Sequence, residues 1–283
     1  MANGKGLALK VRIHSIEETS KITKAMGLVA SSKILKAKER VDKSRPYCSA
    51  LHQALSEIVA SGKSFMSPYL SEREKNKKCI VIFGGDRGLA GGYNHNIFKL
   101  ADQHTSEGET LIVPIGKKSL EYYDKKDFPI LTKDYSSAAD ITVSDCFALS
   151  KILCTHFLQG QLDEVKICYT NFQSMLEQVP TTIQVLPLKA MDDNLDKDKV
   201  RTMLYEPSEE EVFDAIVPEY VAGILYSALC EAQASEHAAR HTAMESSSKN
   251  AEEMKEALVL QYNRARQGAI TQEITEIISG SGD

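Results

Sequence analysis

The sequence predicts an α/β fold in which a long antiparallel coiled coil of the N- and C-terminal helices joins a central Rossmann-like domain with a mostly parallel sheet. Three observations predict it. Small and apolar residues recur every 3.5 residues near the N-terminus, which is the spacing of a coiled-coil seam. The same spacing returns in the C-terminal quarter of the chain. Between these two regions, short apolar strands alternate with helical patterns, as they do in sheets of parallel strands.

The N-terminal region carries eleven uncharged positions in succession, spaced four and three residues apart. This period keeps one stripe of a helix facing a partner helix, so we predict a helix to about Ser61 and a coiled-coil segment over residues 1–62. Gly27 and Ala30 bury little area, and we interpret them as positions that let another backbone approach closely. The stripe consists of Leu9, Ile13, Ile16, Ser20, Thr23, Gly27, Ala30, Ile34, Ala37, Val41 and Ser44.

The middle of the chain, over residues 75–190, is predicted to form the α/β base domain. Asp192–Arg201 is charged and has no apolar periodicity, so we predict a loop there. The predicted strands are Lys77–Phe83, Thr110–Gly116, Glu164–Thr170 and Thr181–Leu188, and the predicted helices span about Asn94–His104, Ser119–Lys125 and Ser136–Gln159.

The C-terminal segment, residues 209–283, is predicted to be one helix on the order of 100 Å long, which is too long for a single globular domain. Because the middle of the chain must return to its start, this helix is expected to pair antiparallel with the first. Charge at Lys249–Glu256 interrupts its seam and suggests either a local change of register or the loss of a partner there. The seam positions are Val221, Leu225, Ala228, Ala232, Ser235, Ala239, Thr242, Ser246, Lys249, Glu253, Glu256, Leu260, Asn263, Gln267, Ile270, Ile274 and Ile277.

The end of this helix, "YNRARQGAITQEITEIISG", is expected to extend past its partner. It would then either enter another protein or remain a solvated tail. Under the first reading, its polar residues would make the contacts. These residues are Arg264, Arg266, Gln267, Thr271 and Gln272.

Composition places the chain among soluble proteins, with 42% hydrophobic and 26% charged residues. No apolar run approaches the roughly 20 residues that span a bilayer, and no secretory signal is visible, so a bacterial cytoplasmic location is expected. Residues 1–45 carry eleven Lys or Arg and four Asp or Glu, a net +7, and the rest carries −12. A basic arm on an acidic body is compatible with nucleic acid, an anionic membrane surface or an acidic protein partner.

Two motifs suggest chemistry. The Gly84–Gly92 loop follows a strand and precedes a helix, where a phosphate-binding loop would lie, although its spacing fits no such motif. The favoured interpretation is a tight turn that lets the helix pack closely on the sheet. His237 and His241 have the spacing of two zinc ligands but lack a third. The six cysteines show no paired spacing, and we interpret them as reduced packing residues.

A phosphate- or nucleotide-binding enzyme and a basic coiled-coil adaptor remain alternative functions. No catalytic set, cofactor or metal is predicted.

Four stretches together resemble the gamma subunit of F-type ATP synthases, of the bacterial type. The resemblance covers nearly the whole chain, and the two terminal motifs are specific because they occur together in the right order. The stretches are "KITKAMGLVASSKILKA" (Lys21–Ala37), "DRGLAGGYN" (Asp86–Asn94), "ARHTAMESSSKNAEEM" (Ala239–Met254) and "YNRARQGAITQEITEI" (Tyr262–Ile277).

The resemblance implies a central rotor shaft that is not itself catalytic. In that family the coiled coil lies inside a head of alpha and beta subunits, and the base lies on the membrane ring of c subunits beside the epsilon subunit. Rotation couples ion flow through the ring to ATP synthesis or hydrolysis at the beta subunits. The expected location is peripheral, on the cytoplasmic face of the bacterial cell membrane, with membrane association indirect through the complex and no nucleic acid bound.

The resemblance also implies which residues make contacts. Tyr205 and Glu206, in "LYEPS", correspond to a stretch at the base near the c ring and epsilon. The family commonly has Cys where Ala90 stands, and Met191–Glu211 lacks the cysteine pair of chloroplast relatives. The residues implied in head contact and coupling are Lys24, Met26, Arg240, Arg266, Gln267 and Thr271.

Overall fold

A computed structural model of the chain describes residues 2–60, 67–71, 73, 77–105, 109–188 and 205–280. The predicted loop Asp192–Arg201 lies outside these ranges. The division into segments 1–62, 75–190 and 209–283 stays a prediction. In chain order the elements are α1 (Ala2–Ala60), β1 (Lys77–Phe83), α2 (Tyr93–His104), β2 (Glu109–Ile115), α3 (Lys117–Asp124), α4 (Val143–Leu158), β3 (Glu164–Phe172), β4 (Gln178–Leu186) and α5 (Glu209–Gly280).

Helix α1 confirms the N-terminal seam. All eleven predicted positions are buried or half-buried, and the seven from Thr23 to Ser44 are buried. Lys24 and Lys33 lie on the exposed side of the helix, as do Lys36 and Lys38. The period of 3.5 was therefore a correct guide to which face of α1 is covered.

The seam predicted along α5 is right in its first part and wrong in its second. Its five positions from Val221 to Ser235 are buried, but those from Thr242 onward are exposed. From Met244 to Leu258, the covered positions of the seam lie two residues after the predicted ones, so the phase of the seam has shifted along the helix. The register change that Lys249–Glu256 suggested therefore lies earlier on the helix. These covered positions are Met244, Ser248, Ala251, Lys255 and Leu258.

The four strands form one sheet in the order β2-β1-β3-β4. Strand β1 pairs parallel with β2 and with β3, while β3 and β4 are antiparallel. Five residues connect β3 to β4, which is too short for the crossover that a parallel pair needs. The prediction of a mostly parallel sheet is confirmed, and β1 has the predicted limits.

Helix α4 begins later than the sequence suggested. The predicted start was Ser136, but residues 136–142 form turns and the helix begins at Val143. The reason is a capping box: the amide of Asp145 donates to Thr142 Oγ1 (3.3 Å), and the amide of Thr142 donates to the Asp145 carboxylate (2.7 Å).

Helices cover both faces of the sheet. Along β1, Val81 and Phe83 pack in the apolar cluster that includes residues of α4 and α5, whereas Ile80 and Ile82 pack with residues of α2 and α3. Successive strand residues point to opposite faces, so a strand covered on both sides reads as a continuous apolar run. This explains the sequence "KKCIVIF".

One 18-residue stretch of α5 is apolar enough to cross a membrane by length and composition, at a mean hydropathy of 1.4. It is the one such stretch among the described residues. In the same helix Phe213, Val217 and Leu225 are fully buried in the apolar cluster beneath the sheet. We therefore interpret α5 as a core helix in this part.

The structure divides into two compact units. The two-helix unit contains α1 up to Ser31 and α5 from Arg240, and the sheet unit contains Ser32–Ala239. Each unit is described separately below.

Candidate functional site

In the two-helix unit, α1 and α5 run antiparallel. His241 Nδ1 donates to the carbonyl oxygen of Gly27 (3.1 Å), and Lys255 Nζ forms an ion pair with Glu17 Oε1 (2.8 Å). Positions that ascend along α5 thus meet positions that descend along α1. Ser248 Oγ donates to the carbonyl of Ser20 (3.5 Å) between these two contacts. The antiparallel pairing predicted from the two seams is present in this unit.

Lys24 lies on the surface of the two-helix unit, with 57% of its side chain exposed, but it already has a partner. Its ammonium donates a hydrogen bond to the Glu252 carboxylate, and this contact lowers the pKa of that carboxyl. Lys255 lowers the pKa of Glu17 in the same way. Two ion pairs therefore join the helices, and Lys24 belongs to one of them.

Two further predicted contact residues are less exposed than expected for a contact surface. They are Met26 and Arg240. Met26 is half-buried, and Arg240 is only 8% exposed. Arg240 therefore lies within the packed part of its unit.

Arg266, Gln267 and Thr271 are all exposed, near the C-terminal end of α5. Thr271 Oγ1 donates to the carbonyl of Gln267 (3.0 Å), a bond within the helix that leaves the Gln267 side chain exposed. Ile270 and Ile274, about half exposed, lie among these polar residues. This part of α5 therefore presents a mixed polar and apolar surface.

Tyr205 and Glu206 belong to the sheet unit and immediately precede α5. Tyr205 is half-buried against the apolar cluster, and burial raises the pKa of its hydroxyl. Glu206 is exposed. Tyr205 thus anchors this segment, and Glu206 is the member of the pair that faces solvent.

A methyl group at position 27 is expected to stabilise the two-helix unit. A Cβ built there would lie 3.7 Å from Met244 Cβ and 3.8 Å from His241 Nδ1, which are ordinary contacts. Gly27→Ala should therefore gain about 0.5–1 kcal/mol of helix propensity and raise the unfolding temperature of the chain.

Gly268→Ala is the matched control, because a Cβ at that position of α5 meets nothing within 4 Å. Both variants should become more stable by similar amounts. A loss of stability in Gly27→Ala alone would show that the helices need a bare backbone at Gly27.

The glycine-rich loop is organised around Asp86. The Asp86 carboxylate accepts hydrogen bonds from the amides of Lys117 (3.1 Å), Ala138 (2.9 Å) and Ala139 (2.9 Å). The first of these lies at the start of α3 and the other two in the turns before α4. The Asp86 carboxylate therefore serves as a hydrogen-bond acceptor for backbone amides of two other segments.

The crevice at the carboxyl ends of β1 and β3, where doubly wound sheets bind ligands, is filled by α5. Tyr93 Oη donates to the carbonyl of Ala232 (3.1 Å), and Ser235 Oγ donates to the carbonyl of Thr170 at the end of β3 (3.0 Å). This filling leaves the phosphate-binding alternative without structural support. No sequence signal marked Tyr93 or Ser235 for this role.

Five of the six cysteine thiols are buried, and Cys48 is half-buried. All six cysteines are free, and burial raises the pKa of the Cys79 thiol to about 12. His241 is engaged with Gly27, as described above. Among the described residues, no group of three or more His, Cys, Asp or Glu side chains is arranged to hold a metal ion.

Comparisons with known proteins agree with one another. A family model described as ATP synthase matches residues 6–282. The ATP synthase gamma chain of Ruminococcus albus is 43% identical, over 99% of this chain and 98% of the relative. That of Alkaliphilus metalliredigens is 38% identical, over 96% of each chain.

A chain in the cryo-EM structure of the Euglena gracilis mitochondrial ATP synthase (OSCP/F1/c-ring) has the same fold, with a TM-score of 0.69. It is 19% identical, and the match covers 99% of this chain and 94% of that one. The resemblance drawn from the four sequence stretches is confirmed. The chain belongs to the gamma-subunit family of the F-type ATP synthases, whose members are non-catalytic subunits of the central stalk.

Proposed function

We propose that this chain turns as the central shaft of an F-type ATP synthase and couples ion flow through the c ring to ATP synthesis or hydrolysis at the beta subunits. The observation that carries the proposal is the form of the two-helix unit. Two antiparallel helices there share a covered seam with small residues such as Gly27 and Ala30, and most of their charged side chains lie outside this seam. Broad apolar patches would fix a rotor at one angle, whereas exposed charges give screened, reversible attractions.

In this proposal the two-helix unit faces the alpha and beta subunits of the head. Lys24 and Met26 on α1, and Arg266, Gln267 and Thr271 on α5, make the contacts. Arg240 supports that surface from within, because it is nearly buried. The exposed apolar residues near the end of α5 would enter the head, since the described residues of the two-helix unit leave about half or more of each side chain uncovered. They are Ile270, Ile274 and Ile277.

The sheet unit, in the same proposal, contacts the c ring and the epsilon subunit through the segment at Tyr205 and Glu206. Glu206 is exposed and can reach a partner, while Tyr205 holds the segment against the apolar cluster. The complex then lies on the cytoplasmic face of the bacterial cell membrane, and the chain reaches the membrane only through its partners.

Reconstitution tests the proposal. The head, epsilon subunit and c ring of the same organism are assembled in vesicles with and without this chain, and ATP-driven ion uptake is measured. We expect uptake only with the chain, and co-purification of both larger head subunits in molar excess over it. Equilibrium binding of labelled ATP to the isolated chain should be absent at micromolar concentration. Failure of the head subunits to co-purify would contradict the proposal.

A further inference from the structure

We infer that the glycine-rich loop is a mechanical clamp that locks α5 to the sheet unit, so that torque on the helix is transmitted to the base. The clamp consists of Asp86 in the loop, Tyr93 directly after it, and Gln233 and Ser235 on α5. The inference rests on the proposed rotor function, but it concerns a joint within this chain rather than a contact with another subunit.

The helix needs such a joint because its buried apolar residues here are small. Ala232, Ala234 and Ala238 are buried in this stretch of α5 and present only methyl groups, while the other buried side chains in it, such as Glu236, are polar. Helices interlock when ridges of side chains fill grooves, and alanines form shallow ridges. Apolar packing alone would therefore resist rotation of α5 about its own axis only weakly.

Three hydrogen bonds fix the helix where the packing is smooth, and each reaches a different part of the sheet unit. Tyr93 Oη, on α2, donates to the carbonyl of Ala232 (3.1 Å). Gln233 Nε2 donates to the carbonyl of Ala138 (2.7 Å), in the turns before α4. Ser235 Oγ donates to Thr170 in β3 (3.0 Å). Directional bonds to three separate elements set both the rotation and the axial position of the helix.

Asp86 ties one of these anchor points to the start of α3. Its carboxylate binds the amides of Ala138 and Ala139, so it holds the same turn that accepts the bond from Gln233. The third amide it binds belongs to Lys117, at the start of α3. Hydrogen bonds to an ionised acceptor are stronger than neutral ones, which suits a joint under load.

The loop backbone lies directly against α5, which explains why glycine stands at its start. A Cβ at Gly85 would lie 2.9 Å from Cδ of Glu236, a side chain that is only 7% exposed. The amide of Gly85 donates to Asn94 Oδ1 (2.8 Å), which ties this backbone to the first turn of α2. The glycine-rich turn after β1 thus packs against a helix here, whereas similar turns in other proteins bind a phosphate.

If the clamp transmits torque, its loss should let α5 slip within the base, so that ATP is hydrolysed without ion transport. The test variant combines Tyr93→Phe, Gln233→Ala and Ser235→Ala in the reconstituted complex. ATP hydrolysis and ATP-driven ion uptake are measured separately. We expect the ions taken up per ATP to fall about two-fold or more, because the three directional bonds that hold α5 in the base are lost. The hydrolysis rate and the amount of assembled complex should match the wild type.

Tyr47→Phe and Ser248→Ala are the matched controls. They remove hydroxyls that bond to Glu219 (3.4 Å) and to the carbonyl of Ser20 (3.5 Å), outside the clamp. Both should keep the wild-type ratio of ions to ATP. The ratio is informative because a merely unstable chain would lower uptake and hydrolysis together.

A triple variant with the wild-type ratio would overturn the clamp, and so would a proportional loss of both activities. If the triple variant does not assemble, Asp86→Asn is judged by the same ratio. If wild-type vesicles hydrolyse ATP but take up no ions, the rotor proposal itself fails, and that result is distinct from a failure of the clamp.

Discussion

A complex that carries Lys24→Glu is expected to assemble normally and to lose most of its ion uptake per ATP hydrolysed. The Lys24 side chain is more than half exposed, and the change reverses a charge on the surface proposed to face the head. The unfolding temperature of the isolated chain should change little, because exposed ion pairs contribute little to stability. Uptake and hydrolysis are measured in vesicles, and unfolding is followed by circular dichroism.

A second substitution distinguishes the effect of losing the ion pair with Glu252 from the effect of losing a contact with the head. In Lys24→Glu the new carboxylate faces Glu252, so like charges meet. Adding Glu252→Lys restores an ion pair with the two charges exchanged. We expect the double variant to keep the wild-type unfolding temperature while ion uptake stays impaired, since the outer charge pattern remains reversed.

Lys255→Glu is the matched control for this experiment. Lys255 also pairs with a glutamate of α1, at 2.8 Å from Glu17, but it is not among the predicted contact residues. It should keep the wild-type ratio of ions to ATP. Recovery of uptake in the double variant would assign Lys24 a role only inside the two-helix unit and would contradict its contact with the head.

Much of the fold could be predicted from the sequence because burial imposes a period on each element. The stripe of α1 alternates by four and three residues as far as Ser44, and all of it is covered. The run Lys77–Phe83 is apolar on both faces and forms a strand with those limits. The antiparallel edge strand β4 follows from its short connection to β3.

The second half of the α5 seam could not be predicted because its sequence fits two registers. Thr242 and Ser246 are small enough to lie in a seam, yet both are exposed. The actual register is set by the contacts of His241 and Met244 with Gly27, more than 200 residues away in sequence. Only the pairing of the two helices decides between the alternatives.

The glycine-rich loop shows a second limit of the same kind. Its pattern after β1 is compatible with a phosphate or with a packed helix, and the choice depends on what fills the crevice. That is decided by Ser235 and its neighbours on α5, about 150 residues later. The family resemblance implied Arg240 in head contact and coupling, whereas its position on the helix leaves it only 8% exposed.

Gly116→Ala is expected to cost about 3 kcal/mol or more of the free energy of unfolding of the sheet unit. Gly116 has φ +93°, a conformation that side chains disfavour, and a Cβ there would lie 2.2 Å from the carbonyl oxygen of Gly84. That oxygen belongs to backbone that cannot easily move, because the amide of Gly84 is bonded to the carbonyl of Ile115 (2.8 Å). Strain and clash therefore act together.

Gly88→Ala is the control, because it shows the effect of replacing a nearby glycine without the strain and clash expected at Gly116. A Cβ at Gly88, in the glycine-rich loop, meets nothing within 4 Å, so its free energy of unfolding should stay within about 0.5 kcal/mol of the wild type. Urea unfolding of the isolated chain measures both variants. The backbone of Gly84 that packs on Gly116 continues to Asp86 of the clamp. Gly116→Ala should therefore also lower the ions taken up per ATP in any complex that assembles. Equal urea midpoints for the two variants would mean that this backbone does not lie over Gly116.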